Sequence, residues 1–116
     1  MSKELYLEDK YICEINIADS FLKRFCGYML RKQPHHEAIL ITPCNSIHCF
    51  FMRFEIDVLF VDKDLFVVKK VEAMKAGKII MPVKNAAAVV ETKAGGFANI
   101  IIGDKLVIKD NNLASC

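Results

Sequence analysis

At 116 residues the chain has material for one domain around one hydrophobic core. Its hydrophobic share of 53% excludes a disordered tail, and no apolar run approaches the roughly 18 residues of a membrane-spanning helix. Net charge is only +2, with lysines and arginines scattered along the sequence, so neither nucleic acid nor an anionic membrane is an expected partner.

From Leu5 to Ile17, the residues Tyr11, Cys13, Ile15 and Ile17 alternate with Ile12, Glu14 and Asn16, which is the period of a strand. Acidic residues in the opening MSKELYLEDKYICEINI stand where an export signal would keep an apolar stretch. A cytoplasmic protein is therefore expected. The cysteines, Cys13, Cys26, Cys44, Cys49 and Cys116, are odd in number and lack paired spacing, so they are expected as reduced thiols. Asp19 or Ser20 can cap a short helix reaching about Leu30, with Phe21, Leu22, Phe25 and Met29 on one face. Gly27 suits the end of that helix or a close backbone approach.

The polar stretch from Arg31 to Glu37 carries His35 and His36 and reads as a solvated loop. Ala38 to Ile41 is the next strand, stopped by Pro43. Two strand-forming runs follow, Phe50 to Phe54 and Val58 to Val61, with Arg53, Glu55 and Asp57 set among them and His48 just upstream. Asp62-Lys63-Asp64 is a turn, and Leu65 to Val71 is the returning arm of a hairpin. Ala76-Gly77-Lys78 is a further turn before Ile79 to Val83, where Pro82 indicates a sheet edge. Ala86 to Thr92 is a strand, Ala94-Gly95-Gly96 a break, and Ile100 to Ile102 an apolar run. Gly103-Asp104 turns the chain into a last strand, Lys105 to Lys109, and Asn111 to Cys116 reads as a frayed tail. Some seven short strands and one helix near the N-terminus imply a mainly β, single-domain sandwich or barrel-like fold over residues 1–116.

Phosphate loops, HExxH, CxxC and GxSxG elbows are all missing. Cys44, His48 and Cys49 offer zinc-binding atoms, but alternation puts His48 and Cys49 on opposite faces and no further ligand pair follows. The same adjacency argues against a Cys49 nucleophile with His48 as base. No metal and no cofactor is expected. The charged residues are more informative. Asp57 shares a strand face with Leu59 and Val61, where an ionised carboxylate needs a partner. Arg24 is the first choice, with Arg53 or Arg31 next, because a guanidinium fork can hold a carboxylate through two hydrogen bonds. A structural ion pair between helix and sheet would satisfy the same pattern without any ligand.

Four segments together point to a family: R-F-C-G-Y-M-L-R (Arg24 to Arg31), S-I-H-C-F-F-M-R-F-E-I-D-V-L-F-V-D (Ser46 to Asp62), V-V-E-T-K-A-G (Val89 to Gly95) and G-D-K-L (Gly103 to Leu106). In this order the chain resembles domain-of-unknown-function family 192, from about residue 20 to 109. Family positions fall on Arg24, Gly27, Met29, Arg31, Met52, Arg53, Asp57, Glu91, Gly95, Gly103 and Asp104. The chain departs from the family pattern at Tyr28-Met29, Phe54-Glu55 and Val90-Glu91, where Leu-Met, Asn-Thr and Leu-Glu are usual. The resemblance implies a small β-sandwich or barrel-like domain with one helix across it, and no established reaction.

The favoured functional expectation is a non-enzymatic module that binds a small ligand or a protein. Arg24, Arg31, His48, Arg53, Asp57 and Glu91, beside aromatic residues, would form its binding site. The alternative is a hydrolase-type enzyme with Asp57 or Glu91 as general base and an arginine stabilising an anion. Convergence of the two carboxylates on one pocket would favour the enzyme. A fully paired carboxylate would favour structure or binding.

Overall fold

The computed structural model describes residues 3–18, 38–44, 47–48, 55–75 and 78–110. Among them the strands are β1 (Lys3–Leu7), β2 (Lys10–Ala18), β3 (Ala38–Ile41), β4 (Ile47–His48), β5 (Ile56–Val61), β6 (Val67–Met74), β7 (Ile79–Ile80), β8 (Ala88–Lys93) and β9 (Leu106–Asp110). Seven form one sheet in the order β6-β5-β8-β3-β2-β1-β9, and β4 pairs with β7 separately. The chain is mainly β, as its period-two patterning requires. The helix expected from Asp19 to Leu30, the loop at Arg31 to Glu37, the run Phe50 to Phe54 and the tail from Asn111 lie outside the described residues.

The two ends of the large sheet meet. Phe66 and Lys105 form an antiparallel bridge. Beside it, the Val67 N–H donates to the Asp104 carbonyl (2.8 Å) and the Leu106 N–H to the Leu65 carbonyl (2.9 Å). The sheet therefore curls into a half-barrel, the barrel-like side of the expectation. Curling brings residues from both edges into one inner core: Val67 and Leu106 pack with Leu5, Ile15, Leu59, Val90 and Phe97. A second apolar cluster, including Ile39, Ile56, Val58, Phe60 and Val89, covers the outer face. Both faces of the central strands are thus buried, and β5 is buried at every position.

Two sequence expectations are corrected. Leu5 to Ile17 is not one strand but a hairpin of β1 and β2, reversed at Glu8-Asp9 with Glu8 at φ 55°. Only two residues separate two runs of the same period, so the pattern reads through the turn. Ile79 to Val83 shrinks to the two residues of β7, with Met81 exposed, because Pro82 has no N–H to offer a ladder. The apolar run Ile100 to Ile102 divides between core and surface. Ile100 enters the core, while Ile101 and Ile102 are 64% and 61% exposed in a turn tied by the Ile101 N–H to Asp104 Oδ2.

The turn at Asp62 forms as its sequence indicates. Its Oδ1 accepts from the N–H groups of Asp64 and Phe66, each at 2.9 Å. Gly103, at φ +97°, donates its N–H to the Val67 carbonyl and feeds β9. A family glycine and the aspartate after it therefore help close the barrel.

Candidate functional site

β5 carries Ile56, Val58 and Phe60 to the outer cluster and Leu59 and Val61 to the inner one. Alternation then sends Asp57 inward, where its residue exposure is 1%. The carboxylate is stabilised by backbone: the Ala73 N–H donates to Oδ1 at 2.9 Å and the Gly95 N–H to Oδ2 at 3.0 Å. Both donors come from chain bent out of the ordinary strand path. Ile56 pairs with Met74 and Val58 with Val71, so β6 has one residue more than β5 over this stretch. Ala73 sits in that bulge at φ 52°, and Gly95 follows β8 at φ +91°. Asp57 is buried with specific partners, as its strand position requires. The arginines proposed to hold it lie outside the described residues. The bond from Gly95 links two family positions from separate motifs and gives this glycine a structural reason, since a left-handed backbone favours it.

Glu91 stands on β8 opposite Val58 of β5 and Ile39 of β3, on the outer face. It is 5% exposed, and burial pushes its carboxyl from 4.5 up to about 8. Its neighbour Thr92 is the residue that turns inward, opposite Asp57 and Ala38. The structure therefore does not bring Asp57 and Glu91 together. No site uses both as a converging pair.

Arg24, Arg31 and Arg53 lie outside the described residues. His48 is on β4, where its backbone pairs with Ile79. Cys13 lies buried in the inner core, and Cys44 is half-buried beside the outer cluster. Among the described residues no group of three His, Cys, Asp or Glu is arranged to hold a metal ion.

Sequence reasoning missed Lys70. It pairs with Leu59 and so faces the inner side of the sheet. Its Nζ donates to the carbonyls of Phe97 and Ile100, both at 2.8 Å, and lies 3.9 Å from Glu72. The signal available was the dipeptide Lys69-Lys70 inside a strand, because alternation must point one of two adjacent lysines inward. Also missed was an open cleft of about 200 Å³ between the β1–β2 hairpin, at Leu7 and Lys10 to Ile12, and the turn from Gly95 to Ile100. A Cβ on Gly96 would collide with Thr92 Cγ2 and lie 2.8 Å from its Oγ1, so the turn packs directly on β8.

The comparisons agree with the motifs. The model of DUF192, an uncharacterized ACR, matches residues 5–108. A UPF0127 protein of Pyrococcus abyssi is 38% identical over 104 residues, spanning 84% of this chain and 87% of that protein. Among solved structures, a protein of unknown function from Novosphingobium aromaticivorans superposes with a TM-score of 0.75 at 17% identity, covering 92% of this chain and 84% of that one. A Sinorhizobium meliloti protein described as a candidate transcription regulator gives 0.76 at 19% identity, covering 91% of each chain. At such identities the two structures speak for the fold alone. Matched over nearly its whole length, and with its Asp57, Glu91, Gly95 and Gly103-Asp104 elements in family order, the chain belongs to domain-of-unknown-function family 192.

Proposed function

We propose that the chain is a binding module whose recognition surface lies on the outer face of the sheet around Glu91. Arg24, Arg31, Arg53 and His48 would supply its further polar groups. The supporting observation is that the two carboxylates are used differently. Each oxygen of Asp57 accepts a backbone N–H, whereas Glu91 sits between Val58 and Ile39 with its pKa raised by burial. A buried carboxyl in apolar surroundings is stabilised by a hydrogen-bonding or cationic group that reaches it. The partner is a small molecule or protein side chain offering such a group. A reducing cytoplasm is the proposed setting, supported by five cysteines that are odd in number and lack paired spacing.

Hydrolysis is the second reading, with Glu91 as its proton-transfer group: the raised pKa keeps the carboxyl protonated at neutral pH, as a donor suited to acid catalysis, and makes it a base only above about 8. One experiment separates the two. Polar small molecules are screened by thermal shift on the wild type and on Glu91→Gln. A binding module shows a compound that raises Tm in the wild type, has a diminished effect on the variant and is recovered intact. A hydrolase shows turnover of that compound, lost in Glu91→Gln. If every stabilising compound acts equally on both proteins, Glu91 is not part of a recognition surface.

A further inference from the structure

The turn after β8 is held from beneath by charges of opposite sign. Asp57 accepts the Gly95 N–H, and Lys70 draws in the carbonyls of Phe97 and Ile100. Phe97 and Ile100 bury their side chains in the inner core. The turn is thus fixed on its core side, and its other side borders the cleft of about 200 Å³ facing the β1–β2 hairpin. The hairpin contributes apolar surface from Leu7, Tyr11 and Ile12 and one cation, Lys10. Among the described residues no carboxylate pairs with Lys10.

Size and charge together select an occupant. A cavity of roughly 150 Å³ accommodates benzene, so this cleft has room for one ring and a small substituent. Lys10 favours an anionic substituent, while Glu8 and Asp9, exposed in the adjoining turn, disfavour a doubly charged one. We propose that the cleft between the β1–β2 hairpin and the Gly95–Ile100 turn binds a small monocarboxylate with a single-ring apolar body, its carboxylate at Lys10 and its ring against Tyr11 and Ile12. The site is independent of the Glu91 surface, which lies on the other face of the sheet.

The test is a titration of the isotope-labelled full chain with benzoate, followed by backbone amide NMR. Benzamide and inorganic phosphate serve as the neutral and the multiply charged probes. Benzoate should shift the amides of Gly95, Gly96, Ala98 and Asn99 saturably. Benzamide, and benzoate with Lys10→Gln, should bind about tenfold more weakly, the loss of one charge-assisted contact. Lys10 lies in a hairpin exposed to solvent, so the variant's spectrum away from the cleft should be preserved. Glu91→Gln should bind benzoate as the wild type does, which keeps this result separate from the fate of the Glu91 surface. No shift with benzoate overturns the proposal. So does equal binding of benzamide, equal binding by Lys10→Gln, equal binding of phosphate, or loss of binding in Glu91→Gln.

Discussion

Asp57 and Glu91 are one register step apart on neighbouring strands, Asp57 opposite Thr92 and Val58 opposite Glu91, and their carboxyl groups leave the sheet on opposite faces. One carboxylate faces the inner core and is bonded by two backbone amides. The other faces the outer cluster and has its pKa raised by burial. Their separation removes the two-carboxylate hydrolytic centre and assigns each a different part in the molecule.

Asp57→Ala should destabilise the fold by about 2–4 kcal/mol, because it leaves the Ala73 and Gly95 N–H groups unsatisfied in a buried site. Asp57→Asn should cost about half as much. Its amide keeps one acceptor oxygen but turns an NH2 toward the second donor. Urea melts of the three proteins measure the series. Equal stability of all three would show that the two backbone bonds contribute nothing net.

Glu91 makes stability depend on pH with a definite sign. Its folded pKa, about 8, lies above its ordinary value of 4.5, so between these pH values the native state holds a proton that the unfolded state has lost. Stability therefore falls as pH rises through this window, by at most about 1.4 kcal/mol per unit. Glu91→Gln removes that slope and should be the more stable protein at pH 8. Denaturant midpoints from pH 5 to 9 decide it: parallel profiles for the two proteins would mean that Glu91 is compensated in the native state.

Gly96→Ala should cost about 1–3 kcal/mol, since its Cβ meets the buried Thr92 side chain. Thr92→Ser removes Cγ2, the atom in the closest contact. In the double variant, part of the Gly96→Ala cost should return, a positive coupling between adjacent sites. Gly95→Ala has open space for its Cβ and acts through φ +91° alone, so its cost, about 1 kcal/mol, should be insensitive to Thr92. Thermal melts of this set provide the comparison.

Lys70→Met keeps much of the aliphatic stem and removes the ammonium that binds the Phe97 and Ile100 carbonyls. A loss of about 1–3 kcal/mol is expected. It should come with faster amide exchange in residues 97–104 and little change in β3 or β8. Uniform acceleration across the sheet would contradict a local anchoring role.

Much of the fold was legible because strand period and turn chemistry are local. Ala38 to Ile41, the run into Val61, the Asp62 turn and the Gly103-Asp104 turn all follow from residues within a few positions of one another. So does the inward direction of Asp57 relative to its strand neighbours Leu59 and Val61. The turn at Glu8-Asp9 escaped because no glycine or proline marks it; its local signal is the charged run Glu8-Asp9-Lys10, after which strand alternation resumes at once.

What the sequence by itself determined is a β-rich chain, the positions of its central strands and the burial of Asp57. What only the tertiary structure decided is which face each polar residue occupies in the assembled sheet. Both faces of β5 and β8 are apolar, since the half-barrel has one cluster inside and another outside. Alternation then orders residues along one strand but cannot align that strand with another. The register of β5 against β8, whose partners at Asp57 and Glu91 are 35 and 33 residues apart in sequence, fixes their opposite directions, and curling of the sheet brings Lys70 beneath a turn 27 residues away.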